Sequence, residues 1–75
     1  MKAYVFINVA PGKSTEVVGE LRAIKGVKSA DTCWGLPDII ALVEASDLKT
    51  LQEFVLDKIQ RVASVNQTDT HIVWE

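Results

Sequence analysis

The stretch Trp34-Gly35-Leu36-Pro37-Asp38-Ile39-Ile40-Ala41-Leu42-Val43 joins a turn to the most apolar run in the chain. Gly and Pro interrupt regular structure strongly, so the first five residues read as a turn between two strands. Ile39 to Val43 places no polar side chain on either alternating face. A strand apolar on both faces is covered on both, which puts this one at the centre of a sheet.

Working back from the turn, Lys2 to Val9 has the same character, with Tyr4, Val5, Phe6, Ile7 and Val9 spread over both faces. Pro11-Gly12 stops it. Gly12 or Ser14 is expected to cap a first helix, with Glu16 in the first turn favoured by the helix dipole. Val17, Val18, Leu21 and Ile24 form its apolar stripe, and Lys25-Gly26 closes it with a left-handed cap. Val27 to Trp34 mixes polar and apolar residues on both faces, as an edge strand does.

Working forward, Ser46 or Asp47 caps a second helix whose predicted inward stripe is Leu48, Leu51, Phe54, Val55, Ile59 and Val62. Val65 to Trp74 is the last strand, polar at first and apolar at its end. The order is β-α-β-β-α-β. A shift of 38 residues lays Ile24-Lys25-Gly26-Val27 over Val62-Ala63-Ser64-Val65 and Asp31-Thr32 over Asp69-Thr70. Two β-α-β halves joined at the turn give an α+β, ferredoxin-like sandwich with four antiparallel strands and both helices on one face. The first and third strands are then central. The other face is left open, showing either Tyr4/Phe6 or Val5/Ile7, and pairing of two such faces in a dimer is the expected cover.

Composition narrows the function classes. Seventy-five residues make one domain, short enough that oligomerisation is a natural supplement to its core. The formal net charge of -2, with no run of Lys or Arg, gives direct nucleic-acid binding little electrostatic support. No apolar run approaches a membrane span of about 20 residues. The lone Cys33 and the absence of a signal-like N-terminus point to a reducing cytoplasm.

Candidate chemistry is sparse. His71 stands alone in a strand, and Cys33, with no basic neighbour in sequence, reads as a buried inert thiol. There is no metal-ligand spacing and no phosphate-binding loop, so neither catalytic residues, metal nor cofactor is expected; Pro11-Gly12-Lys13-Ser14 is a strand-to-helix turn. The central turn offers more. Asp38 is a carboxylate at the head of the most apolar strand, Gly35 permits close backbone approach, and Trp34 is an apolar wall with one donor. These make either a cradle for a small zwitterion or a rigid hairpin with Asp38 capping its own turn.

The whole chain resembles the effector-binding (RAM) domain of the leucine-responsive regulator/asparagine-operon regulator, or Lrp/AsnC, family. The resemblance runs from Ala3-Tyr4-Val5-Phe6-Ile7-Asn8-Val9 with Pro11-Gly12-Lys13, through Glu20-Leu21 and Gly26-Val27, to Gly35-x-x-Asp38 and Ile39-Ile40-Ala41-Leu42-Val43-Glu44. It continues through Asp47-Leu48 and Ile59 and ends in Thr68-x-Thr70-x-Ile72-Val73. It implies sheet-to-sheet dimers, rings of dimers, and binding of amino-acid-like effectors where dimers meet. Carried over by residue, it places the ligand at Gly35 and Asp38, flanked by Trp34, Leu36 and Pro37, with Thr68 and Thr70 of a neighbouring subunit. Trp34 and Pro37 depart from the small and the aromatic or polar residues common at those places. The family's regulators carry an N-terminal helix-turn-helix, whereas this chain starts at its first strand.

The resulting expectation is a cytoplasmic, non-enzymatic effector sensor that does not bind DNA directly and joins full-length regulators. Asp38 would take the effector ammonium; Gly35-region amides and the Thr68 and Thr70 hydroxyls would take its carboxylate. A small dimeric α/β-barrel monooxygenase shares the topology but needs a polar pocket between sheet and helices. An ACT-like amino-acid-binding module also shares it, and is usually fused to an enzyme.

Overall fold

Alternation in the first strand decides which face of the sheet is covered. In β1 (Lys2–Val9), Ala3, Val5, Ile7 and Val9 are buried, whereas Tyr4 is exposed and Phe6 and Asn8 are half-buried. The open face is therefore the one bearing Tyr4 and Phe6. A computed structural model describes residues 1–74 and continues with α1 (Ser14–Arg22), β2 (Val27–Thr32) and β3 (Ile39–Glu44). A helical run follows as α2 (Leu48–Thr50), a π-helical segment at Leu51–Leu56, and α3 (Asp57–Gln60), before β4 (Val65–Ile72).

The sheet order is β2-β3-β1-β4 with every neighbouring pair antiparallel, so the two most apolar strands are the central ones. This is the predicted ferredoxin-like arrangement. Ile39, Ala41 and Val43 of β3 join the inward set of β1 beneath Val17, Leu21, Leu51, Val55 and Ile59. No polar or charged residue is buried among the described residues, so hydrophobic burial holds the helices to the sheet. Each large core side chain contributes roughly 1.5–3 kcal/mol by leaving water.

The second helix departs from its predicted stripe. Leu51, Val55 and Ile59 are buried as expected, but Leu48 is 40% and Phe54 58% exposed. Leu48 is the first residue of the run, ahead of the π-helical segment, and Phe54 lies within that segment. Its i→i+5 bonding widens the turn, so residues four apart stay aligned while those three apart rotate off the core face. A helix of regular period would have kept Phe54 inward.

Strand β2 carries a similar irregularity. Its pairing shifts between Val27 and Ser29, a bulge that puts Val27 and Ala30 opposite the inward Val43 and Ala41 despite their odd spacing. The strand stops at Thr32 and β4 at Ile72, each two residues short of its predicted end. Cys33, just past β2, is half-buried rather than enclosed.

Of the predicted caps, Asp47 is the one observed: its carboxylate accepts from the Thr50 N–H at 2.7 Å. At α1 neither Gly12 nor Ser14 caps; Lys13 occupies that position without a side-chain bond. The two halves of the sequence repeat also match in backbone. Gly26 and Ser64, superposed by the 38-residue shift, have φ of +101° and +73°. Each carbonyl then accepts from the end of a central strand, Gly26 from Glu44 N–H at 2.8 Å and Ser64 from Ala10 N–H at 2.9 Å.

These paired turns differ in tolerance. A Cβ on Gly26 would lie 2.6 Å from the Val55 side chain and 3.1 Å from the Glu44 carbonyl. Gly26→Ala should cost about 2–4 kcal/mol in urea unfolding, from left-handed strain plus overpacking. Ser64→Gly should instead stabilise by up to about 1 kcal/mol, relief of strain outweighing added chain entropy. Unchanged midpoints for both would refute the strain assignment. The bond from the Thr50 N–H holds the Asp47 carboxyl below its ordinary range. The cap therefore contributes fully above that range and fades as pH falls through it. Asp47→Asn should keep the cap and flatten the acid limb of stability, whereas Asp47→Ala should lower stability at neutral pH.

Candidate functional site

The β1–β3 ladder ends at the pair Ile7 and Ile39. Beyond it Asp38, half-buried, turns its carboxylate across to β1, where Oδ2 accepts from the Val9 N–H at 2.9 Å. Asp38 thus caps the neighbouring strand and not its own turn. A backbone bond from Cys33 N–H to Asp38 C=O at 2.8 Å closes the hairpin. Gly35 has φ +100° and nothing within 4 Å of a notional Cβ, so the backbone conformation is what requires glycine there. The Leu36–Pro37 peptide is cis.

The hydrophobic members of the turn do not fold over Asp38. Trp34 is fully exposed and Leu36 is 82% exposed. A cradle closed by Trp34 within one chain is therefore absent. Behind Leu36 and Pro37 lies a shallow hollow of about 240 Å³ on the open sheet face, also lined by Phe6, Asn8, Gln67 and Asp69. Asn8 lies opposite Gln67 and Phe6 opposite Asp69 in the β1–β4 ladder, and such opposed residues share a face. The Asn8 Oδ1 atom is buried with no hydrogen-bond partner. Beside it, His71 Nε2 lies 3.1 Å from Asp69 Oδ2, and its ring meets Phe6 at a centroid distance of 4.9 Å.

Thr68 and Thr70 are opposite Ile7 and Val5, hence on the helix-covered face and half-buried. One chain does not bring them to the turn. Asn8, Gln67 and Asp69 were missed by sequence reasoning, although one signal existed. Asn8 is the single uncharged polar residue within the otherwise apolar Ala3–Val9 run. Among the described residues no group of three His, Cys, Asp or Glu is placed to hold a metal, and no helix is long and apolar enough to cross a membrane.

The comparisons with known proteins agree over this whole framework. The family described as "Lrp/AsnC ligand binding domain" matches residues 2–75. The chain belongs to the Lrp/AsnC ligand-binding domain family. An uncharacterised HTH-type transcriptional regulator of Pyrococcus furiosus is 31% identical over 71 residues, covering 95% of this chain and 48% of the regulator. The chain thus spans about half the length of the curated relatives it matches. A hypothetical protein of Pyrococcus horikoshii, solved by crystallography, is 33% identical with a TM-score of 0.88, covering 99% of this chain and 90% of its own. A transcriptional regulator of Neisseria meningitidis, solved as a complex with L-Met, shares the fold at 18% identity with a TM-score of 0.83, over 99% of this chain and 49% of its own.

The double role open to Asp38 can be separated. Asp38→Ala strands the Val9 N–H and should cost about 1–3 kcal/mol in chemical denaturation. Asp38→Asn retains an acceptor for that N–H and should stay within about 1 kcal/mol of the native chain. Equal losses in the two variants would show that the hydrogen bond is not what anchors the turn.

Proposed function

We propose that this Lrp/AsnC ligand-binding domain is a non-enzymatic effector module whose site is completed by neighbouring copies. The observation that carries the reading is the half-finished state of the turn. Asp38 spends one carboxylate oxygen on Val9 N–H, and Oδ1 has no partner among the described residues. Trp34 and Leu36 meanwhile stand out in water as an apolar rim with nothing to close on. An amino-acid-like ligand fits that arrangement. Its ammonium pairs with Asp38, and its carboxylate meets amides of the Gly35 region and the Thr68 and Thr70 hydroxyls of an adjoining subunit. The Neisseria regulator bound to L-Met supports an amino acid as the ligand class.

Self-association follows from the same surface accounting. Tyr4 and Phe6 share the open face with half-buried Ile40 and Leu42, which pair with them across β1 and β3. A contiguous apolar face of this kind is stable in water when a second copy covers it. Rings of such dimers would bring Trp34 and Leu36 of one dimer against the next. Full-length regulators of the family supply the helix-turn-helix through which the module would reach DNA, in a reducing cytoplasm.

Calorimetry with a panel of amino acids that includes methionine tests the ligand assignment. Saturable heat with at least one member, reduced about tenfold or more in affinity by Asp38→Asn, is the expected result. Binding indifferent to that substitution would sink the role of Asp38, and silence across the panel would sink the ligand class. Sedimentation velocity tests the assembly: the native chain should run as a dimer or larger species, and Leu42→Glu should reduce it to monomer. A native chain that runs as a monomer would overturn the sheet-face interface.

A further inference from the structure

A concavity larger than the hollow at the central turn lies at the opposite end of β2 and β3. It holds about 550 Å³, bounded by the start of β2, the end of β3 and the π-helical segment. Its floor is apolar, formed by the buried Val55 and by Phe54, which the π-helical segment leaves 58% exposed. Its lining also includes Lys25, Lys28 and Lys58 and the hydroxyl-bearing Ser46 and Thr50.

The charge distribution there runs against the rest of the molecule. Three of the eight basic residues line this one cavity, against one of the ten carboxylates, Glu44. The remainder of the chain holds five basic and nine acidic residues, so a local excess of +2 sits on a background of -4. Glu44 is committed to Lys28 at 3.8 Å. Asp47, the nearest carboxylate in sequence, is turned to the Thr50 N–H. Lys25 and Lys58 have no ion pair among the described residues. A packing gap between helix and sheet would be lined by aliphatic residues alone; three lysines are among those lining this one.

We infer that this cavity is a second ligand site, distinct from the effector turn, for a small organic anion with an aromatic body. The volume lies within the range of small-molecule pockets, about 300–1,000 Å³. The Phe54 ring supplies a face for stacking, and the lysines supply point charges for a phosphate or carboxylate. The lining of the site comes from β2, β3, the helical run and the turns that flank them. It does not rest on the amino-acid reading of the turn, and either can fail alone.

The test is an amide NMR titration of the full chain with phenyl phosphate, benzoate and inorganic phosphate. Phenyl phosphate and benzoate should move the Gly26, Ser46, Thr50 and Phe54 resonances saturably, and inorganic phosphate should bind at least about tenfold more weakly. Added salt should weaken all three, since the charges face solvent. Lys25→Gln with Lys58→Gln, both surface changes, should cost about tenfold in affinity, and Phe54→Ala should erase the preference for aromatic anions. Perturbation of Gly35 and Asp38 alone, equal binding of inorganic phosphate, or saturation that survives the paired lysine substitutions overturns the inference. So does an absence of saturable shifts up to millimolar anion in chains whose spectra remain folded.

Discussion

Two helical runs cannot cover both faces of a four-stranded sheet, and that shortage governs this protein. One face receives the whole core, with Val5, Ile7, Ile39, Ala41 and Val43 sealed beneath Leu21, Leu51, Val55 and Ile59. The other face keeps the alternate residues of the same central strands, including Tyr4, Phe6, Ile40 and Leu42. Because β1 and β3 are apolar on both sides, the sequence that builds the core necessarily builds a sticky surface too. The core and the apolar open face are thus written into alternate residues of the same two strands.

The parts of the fold that follow from period and composition were legible in the sequence. Apolar runs located the central strands, polar mixing located the edges, and the 38-residue echo gave the topology. That echo extends to backbone detail, since Gly26 and Ser64 share a left-handed conformation at equivalent turns. What escaped the sequence were departures from regular period. The π-helical segment changes which residues align along the second helix, and the β2 bulge changes which of its residues point inward. Neither leaves a compositional trace, because Leu, Gln, Glu, Phe and Val are all ordinary helix residues.

The candidate site divides the same way. Asp38 and Gly35 stand out in the sequence because a carboxylate and a glycine beside an apolar run need explaining. The explanation is partly structural: Asp38 supplies an acceptor for Val9 N–H where the β1–β3 ladder has ended. That bond uses Oδ2, so one side chain ties the head of one central strand to the end of the other. The hollow beside it was invisible in sequence because Phe6, Asn8, Gln67 and Asp69 come from strands far apart in the chain.

The position of the tryptophans has a consequence of its own. The chain has two, and both stand in solvent, Trp34 fully and Trp74 at 92% exposure. Neither indole contributes to the core that forms on folding. Intrinsic fluorescence in this protein is therefore poorly coupled to unfolding and well placed to register approach by another molecule. Trp34, in the turn of the central hairpin, is in effect a built-in reporter on that exposed surface.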